Sequence, residues 1–321
     1  MNILFMGTPG YAVPSLKALL EQGHAISGVT TQPDRPSGRG RQPTPPPVKV
    51  FALEHGLPVY QPENVNERSV RDELLSLRPD LVVVAAFGQL LSRPYLEKPP
   101  CGAVNVHASL LPRHRGAAPV QAAILVGDTV TGVTVQRMVR RLDAGPILRT
   151  LSTPIGENET ASELEVRLAD LGAQALAEAV RDVEHGTASG TPQDEAQATY
   201  APRLSKKDGL IDWSLPAEYL DRFVRAMTDW PGAFTFWISP RRGPVRLVLC
   251  RVEAEPYAQG ECVGCAAPGE IVAAELGRVW VQTGRGILRI IHLKPEGGRV
   301  MSVEEFLRGH RLEVGQRFVM A

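Results

Sequence analysis

The chain has 321 residues, 43% of them hydrophobic and 22% charged, a balance that excludes wholesale disorder and fits about two domains. Its 35 basic side chains match its 35 acidic ones, which excludes a grip on nucleic acid through bulk charge. Any RNA contact must come from a local patch.

The opening run Ile3–Met6 reads as a short buried strand ended by Gly7-Thr8-Pro9-Gly10. It lacks the basic start and long apolar core of a signal peptide, and no run reaches the roughly 18–20 apolar residues of a membrane span. A cytoplasmic location is expected. Leu16, Leu19 and Leu20 stand at helical spacing in Val13–Gln22, with Gly23 as a stop. Ile26–Thr30 and the wholly apolar Leu81–Ala86 follow as strands. Apolar strands alternating with amphipathic helices predict a mostly parallel sheet covered on both faces. Ligands bind such sheets at the carboxyl ends of the strands, so the loops after Met6, Thr30, Ala86 and Val106 are where chemistry is expected.

Thr31–Pro47 reads as a long loop stiffened by proline, with Gly38 and Gly40 in its middle. Arg35, Arg39 and Arg41 face one acid, Asp34, and Lys49 follows. Such loops are usually functional or solvated surface, and the arginine pattern predicts a contact with a polyanion.

The densest stretch is CGAVNVHASLLPRHRG, from Cys101 to Gly116. Asn105 and His107 lie two apart at a strand end, so they project to one side. Arg113, His114 and Arg115 place positive charge behind them. Asp143 sits in a turn between the strand-like Val133–Val139 and Ile147–Leu151, from which it can orient His107. Attack of an amine on a formyl or acyl carbon creates an oxyanion that an amide and an imidazolium stabilise. The amine must also shed a proton, and a carboxylate accepts it. Taken alone, the spacing supports an acid/base site and no more, because a histidine after a strand is more often structural.

Thr160–His185 predicts a long helix, and Gly186–Ala201 turns polar as a linker does. Ile211–Ala226 predicts another helix with Trp213 at its entrance. Five short β-rich runs follow between Phe234 and Leu293 before a last short helix at Phe306 and Leu307. Such spacing predicts a small barrel. The organisation expected is an α/β domain over 1–189, a linker over 190–206 and an all-β domain over 207–321. Cys262 and Cys265 have C-x-x-C spacing, but no second pair completes a zinc set, and no metal is expected.

The run N-V-H-A-S-L-L-P-R-x-R-G-A-A-P over Asn105–Pro119, with Leu-Asp-x-Gly at 142–145, resembles the signature of the folate-dependent formyltransferases. Further segments resemble the branch of that family that acts on methionyl-tRNA: F-M-G-T-P at 5–9, T-Q-P-D-R-P-S-G-R-G-R at 31–41, P-x-P-V-K at 45–49 and L-S-K-K-D-G-x-I-D-W at 204–213. The resemblance implies a Rossmann-like catalytic domain and a carboxy-terminal barrel resembling an OB-fold that binds tRNA. It implies Asn105, His107 and Asp143 as the catalytic trio and 10-formyltetrahydrofolate as formyl donor. Ser109, Leu110, Leu111 and Pro112 would line the folate site, and Phe87, Gly88, Gln89 and Leu90 would hold the pteridine. Arg39, supported by Arg35, Arg41 and Lys49, would meet initiator methionyl-tRNA. A monomer without an obligate protein partner or membrane contact is expected. Phe87 stands where the family would have Tyr, Pro146 where it would have an acid, and Ala108 where Gly is common.

Three rivals differ from this reading. A nicotinamide oxidoreductase needs G-x-G-x-x-G after the first strand, and Pro9 occupies the second glycine position. A formyltransferase for glycinamide ribonucleotide or an amino-sugar nucleotide would share the trio but lack the basic loop. A non-enzymatic RNA-binding protein would need no trio.

Overall fold

A computed structural model describes residues 1–37, 42–239, 243–255, 266–275 and 277–319. Arg39, Arg41, Cys262 and Cys265 therefore lie outside the described residues. In chain order the first half contains β1 (Asn2–Gly7), α1 (Val13–Glu21), β2 (Ala25–Thr30), β3 (Arg35–Ser37), β4 (Gln42–Thr44), α2 (Pro47–Glu54), β5 (Val59–Tyr60), α3 (Arg68–Ser76) and β6 (Leu81–Ala85). It continues with α4 (Arg93–Glu97), β7 (Ala103–His107), β8 (Arg115–Gly116), α5 (Pro119–Val126), β9 (Val130–Arg137), β10 (Ile147–Pro154), α6 (Ala161–Glu184) and β11 (Tyr200–Ala201). Among the described residues, seven strands form one sheet in the order β10-β9-β7-β6-β1-β2-β5. The five strands from β7 to β5 are parallel, and β9 and β10 extend the sheet antiparallel. Leu81 to Val83 and Ala85 are fully buried and Val84 nearly so. The sheet is thus covered on both faces, as an uninterrupted apolar run demands.

The strand order reverses between β1 and β6, the place where open α/β sheets usually receive a ligand. Here the three loops at that point are joined by side chains. Thr8 Oγ1 donates to the Phe87 carbonyl at 3.1 Å and accepts from the Gln32 amide at 3.2 Å, while Gln32 Nε2 donates to the same Phe87 carbonyl at 3.2 Å.

Two sequence expectations for this half need correction. Thr31–Pro47 is not without secondary structure: β3 and β4 pair as an antiparallel hairpin, Arg35 opposite Thr44, and α2 starts at Pro47, where the ring's fixed φ suits a first helical turn. Residues 190–202 are not a free linker. Thr191 bridges Ile147, and β11 pairs parallel with β8, Tyr200 beside Arg115 and Ala201 beside Gly116.

By compactness the chain forms two units, one of Met1–Pro119, Thr129–Ile155 and Glu163–Pro202, the other of Val120–Asp128, Gly156–Ser162 and Arg203–Ala321. Most of α5 thus groups with the second half. That unit adds α7 (Ala217–Ala226), β12 (Ala233–Ser239), β13 (Gly243–Glu255), β14 (Ile271–Glu275), β15 (Arg278–Gln282), β16 (Ile287–Pro295), β17 (Met301–Ser302), α8 (Val303–Gly309) and β18 (Phe318–Val319). Its antiparallel sheet runs β14-β15-β16-β13-β12-β18, with β17 on β16. Two register shifts on either side of Arg251 interrupt the pairing of the thirteen-residue β13 with β16. Bulges of this kind increase twist and bend a strand, which curls the sheet into a half-barrel. Its core includes Leu247, Leu288, Phe306 and Phe318. The expected helix over 211–226 begins only at Ala217. Asp212 accepts from the amide and hydroxyl of Ser214 in a side-chain turn, and Pro216 is the cap. Trp213 sits in that turn, stacked on Phe318 with its Nε1 donating to Thr235 at 3.0 Å. No helix among the described residues is long and apolar enough to cross a membrane.

Candidate active site

Asn105 and His107 leave β7 on one side, as period-two geometry requires. Asn105 pairs in register with Val84 of β6 and Gln136 of β9, and His107 with Thr134. Asp143 arrives from the turn after β9 and closes the group. Its Oδ1 lies 3.5 Å from Asn105 Nδ2, and its Oδ2 lies 3.7 Å from His107 Nδ1. The side chains of His107 and Asp143 are only 6% and 8% exposed, so little solvent stands between them. Two stronger bonds hold the carboxylate: the Gly116 amide donates to Oδ2 at 2.9 Å and Gln136 Nε2 to Oδ1 at 3.0 Å. His107 Nε2 lies 2.9 Å from the His114 carbonyl. A carbonyl only accepts, so Nε2 carries the hydrogen and Nδ1 faces Asp143.

The backbone around these groups is strained. His114 has φ of 57° and Asp143 φ of 50°, a left-handed region that costs about 1–3 kcal/mol for an ordinary residue and persists only where the surroundings enforce it. Tight approaches explain two glycines of the signature. A Cβ on Gly145 would collide with the Arg137 carbonyl, and one on Gly116, at φ 116°, with the Ala201 carbonyl. The Asp143 turn and β8 are therefore pressed against their neighbours without room for a side chain.

A cleft of about 480 Å³ is lined by Asn105 and Asp143, within the size range of small-molecule sites, while His107 stands buried behind them and does not line it. Leu90, Leu96, Met138 and Leu142 supply apolar wall, and Asn105 and Asp143 the polar end. Leu90 is the one expected folate residue on this wall, 71% exposed. Phe87 is buried at 2%, and Gln89 is occupied by the Val65 amide at 2.9 Å and the Glu63 carbonyl at 3.2 Å. Gly88 lies exposed with φ 91°. Ser109 and Leu111 are likewise buried, with Leu110 and Pro112 partly so. Ser109 Oγ donates to the Arg113 carbonyl at 2.6 Å, and Thr134 Oγ1 ties Ser109 to Leu111. The segment from 109 to 112 thus follows His107 as a bonded turn, its Ser109 amide donating to the His107 carbonyl at 2.9 Å, and does not line this cleft.

Residues that the sequence reading missed complete the site. Gln136 is the register partner of Asn105, and only strand pairing reveals it. Arg115, expected to place positive charge behind the pair, is fully buried and pairs with Glu195 through Nη1 at 3.1 Å and Nη2 at 2.9 Å. Each partner stabilises the other's charged form: Glu195 holds the guanidinium's pKa up, and Arg115 holds the Glu195 carboxyl below its usual range. Of the basic loop residues, Lys49 holds both oxygens of Asp34 at 2.9 and 2.8 Å, and Arg35 pairs with Glu63 at 2.7 Å. Gln61 adds a third donor to Asp34 at 2.8 Å.

Solved structures share this two-part architecture. HypX of Aquifex aeolicus in complex with tetrahydrofolic acid matches with a TM-score of 0.61 at 17% identity, over 99% of this chain and 50% of HypX. The chain thus spans about half the length of that protein. An N-formyltransferase from Helicobacter canadensis, in complex with folinic acid and dTDP-3-aminofucose, matches at 0.61 and 15% over 90% of this chain and 97% of its own. The fold is accordingly shared with these proteins. Residues 1–180 match the formyl transferase family and residues 203–311 the formyl transferase C-terminal domain, and the chain belongs to the formyl transferase family. It is 46% identical to the methionyl-tRNA formyltransferase of Methylococcus capsulatus over 97% of this chain and 98% of that relative. It is 43% identical to that of Geobacter metallireducens over 99% and 98%.

Proposed function

We propose that this protein transfers the formyl group of 10-formyltetrahydrofolate to the α-amino group of methionyl initiator tRNA, in the cytoplasm and for translation initiation. The observation that carries the reading is the convergence of Asn105, His107 and Asp143 beside a cleft, in a chain alike along its whole length to relatives named methionyl-tRNA formyltransferase. Asn105, His107 and Asp143 are the catalytic groups of this proposal.

In the reaction the amine nitrogen bonds to the formyl carbon, the carbon–N10 bond breaks, and the proton lost by the amine ends on N10. Charge develops on the formyl oxygen. Asn105 Nδ2 leans on Asp143 at the limit of hydrogen-bond length, so it exchanges that contact for the oxyanion at little cost. Each such donor lowers the barrier by about 3 kcal/mol. His107, aligned through the His114 carbonyl, supplies the second polar contact. Asp143 takes the amine proton directly or through water; a carboxylate has about four acceptor positions, and two are used by Gly116 and Gln136.

The apolar wall from Leu90 to Leu142 suits a flat pteridine, and the proposal assigns the folate to it with Phe87, Gly88 and Gln89 as supporting loop. Ser109, Leu110, Leu111 and Pro112 act here through the bonded turn that follows His107. The basic loop and the β-rich unit make the RNA contact. Lys49 and Arg35 secure the hairpin base through Asp34 and Glu63, and the proposal assigns Arg39 and Arg41, named from the sequence alone, to the acceptor end. The protein acts as a monomer.

The test is direct. The protein is mixed with 10-formyltetrahydrofolate and methionyl initiator tRNA, with elongator methionyl-tRNA and glycinamide ribonucleotide as controls, and formylmethionine is measured after deacylation. Formylation of the initiator above both controls is expected. Formyl transfer to glycinamide ribonucleotide alone overturns the reading.

A further inference from the structure

The segment expected to be a linker is bonded to the Asp143 turn at three residues: Glu195 and Tyr200 meet the Arg141 guanidinium at 2.8 and 3.1 Å, and Gln193 alone of the three holds the turn's backbone carbonyls. The Gln193 side-chain amide is a two-sided clip. Its Oε1 accepts from Arg115 Nε at 3.1 Å and Nη2 at 2.7 Å. Its Nε2 faces the carbonyls of Asp143 at 2.9 Å and Gly145 at 2.7 Å, with Gln136 Oε1 at 3.2 Å. An amide has the donor and acceptor ends this position needs; a carboxylate or an apolar side chain supplies one or neither.

The surrounding segment fixes where Gln193 stands. The Arg115 amide donates to the Thr199 carbonyl at 2.8 Å, the His114 amide to Thr199 Oγ1 at 2.8 Å, and the Ala117 amide to the Ala201 carbonyl at 2.8 Å. His114 is the residue whose carbonyl aligns His107, and Gly116 is the residue whose amide holds Asp143. Residues 191–201 therefore touch the backbone supports of both groups without entering the cleft.

We propose that Gln193 is a positioning residue for the transfer reaction, holding the strained Asp143 turn against Arg115 so that the carboxylate meets His107 and Asn105. The proposal rests on the assignment of Asp143 as a catalytic group. The residue acts on geometry and touches no substrate, so its loss lowers kcat and leaves the Michaelis constants alone.

The closing experiment compares Gln193→Ala and Gln193→Glu with Gln197→Ala, whose exposed side chain bonds, among the described residues, to Asp194 alone. In full-length protein, kcat for formylation falls about 10- to 100-fold in both Gln193 variants, the size expected for a displacement near 1 Å, with KM for folate and tRNA within about twofold. Gln197→Ala keeps wild-type kcat. In an Asp143→Asn background, Gln193→Ala adds no comparable further loss, because both changes remove one aligned group. Multiplying losses, or a KM rise with kcat preserved, overturns the proposal. Hydrogen exchange across 138–146 and 114–117 provides a reading independent of substrate: faster exchange in Gln193→Ala is expected even if wild-type protein formylates a different amine, an outcome that removes the substrate assignment alone. Unchanged exchange with unchanged kcat overturns the positioning role. Gln193→Glu retains the acceptor for Arg115 and loses the donors, so it carries the test if Gln193→Ala does not fold.

Discussion

His107 and Asp143 face one another without being bonded: Nδ1 stands 3.7 Å from Oδ2, beyond hydrogen-bond length, because the imidazole is held from its far side by the His114 carbonyl. A shift of less than 1 Å brings the two atoms to hydrogen-bond length, where a second proton must lie between them because Nε2 carries the first. Substrate entry is the natural occasion, since catalytic hydrogen bonds commonly tighten only in the complex. His107→Ala and Asp143→Ala should each lower kcat at least about 10³-fold, while filter retention of initiator tRNA changes no more than about twofold. Wild-type turnover in either variant removes these residues from the chemistry.

Gly145→Ala should damage catalysis from outside the trio. The added methyl meets the Arg137 carbonyl, a backbone atom that cannot swing away, so the turn carrying Asp143 must move. The expected cost is about 2 kcal/mol of stability and about 100-fold in kcat. Chemical denaturation and single-turnover kinetics measure the two effects, and a stable, fully active variant disproves the tight approach.

Glu195→Gln tests the buried guanidinium. Arg115 holds the Glu195 carboxyl below its ordinary 4.5. A lowered folded pKa adds stability above the unfolded value, and the addition disappears as pH falls through the folded one. Wild-type urea midpoints should therefore fall more steeply than those of Glu195→Gln between about pH 6 and pH 3, with the variant less stable at neutral pH. Parallel pH curves count against the pairing.

Arg39→Ala and Lys49→Met should separate RNA contact from hairpin support. Loss of a phosphate contact lowers affinity and reduces the salt slope by about one unit, which is the expectation for Arg39. Lys49 already holds Asp34, so its substitution should raise the tRNA KM while leaving the slope unchanged. Equal slopes for wild type and Arg39→Ala would sink the loop assignment.

The parallel sheet was legible because strands such as Leu81–Ala85 are apolar throughout, and no other local structure accounts for that run as simply. The trio was legible in part: strand periodicity put Asn105 and His107 on one side and a turn between two strand-like runs offered Asp143, but their joint role as a catalytic group came from the resemblance. Gln136 and Gln193 were invisible, since glutamine carries no local signal and each matters only through a partner between 7 and 78 residues away. The burial of Arg115 was invisible for a related reason, since the partners that permit it, Glu195 and Gln193, are distant in the chain. The helix over 211–226 was drawn too long because apolar spacing continued across Pro216, where the side-chain turn of Asp212 takes over.

The lacing of Thr8, Gln32 and Phe87 has a bearing on evolution as well as on binding. In dinucleotide enzymes the same crossing point stays unsewn, so that bare amides there can cradle a diphosphate. Here Pro9 contributes no amide and a hydroxyl and a carboxamide draw the seam shut. The proposed catalytic groups stand to one side, at the junction of β7 with β9, and converting this scaffold to nucleotide use would require unpicking that seam before any new contact could form.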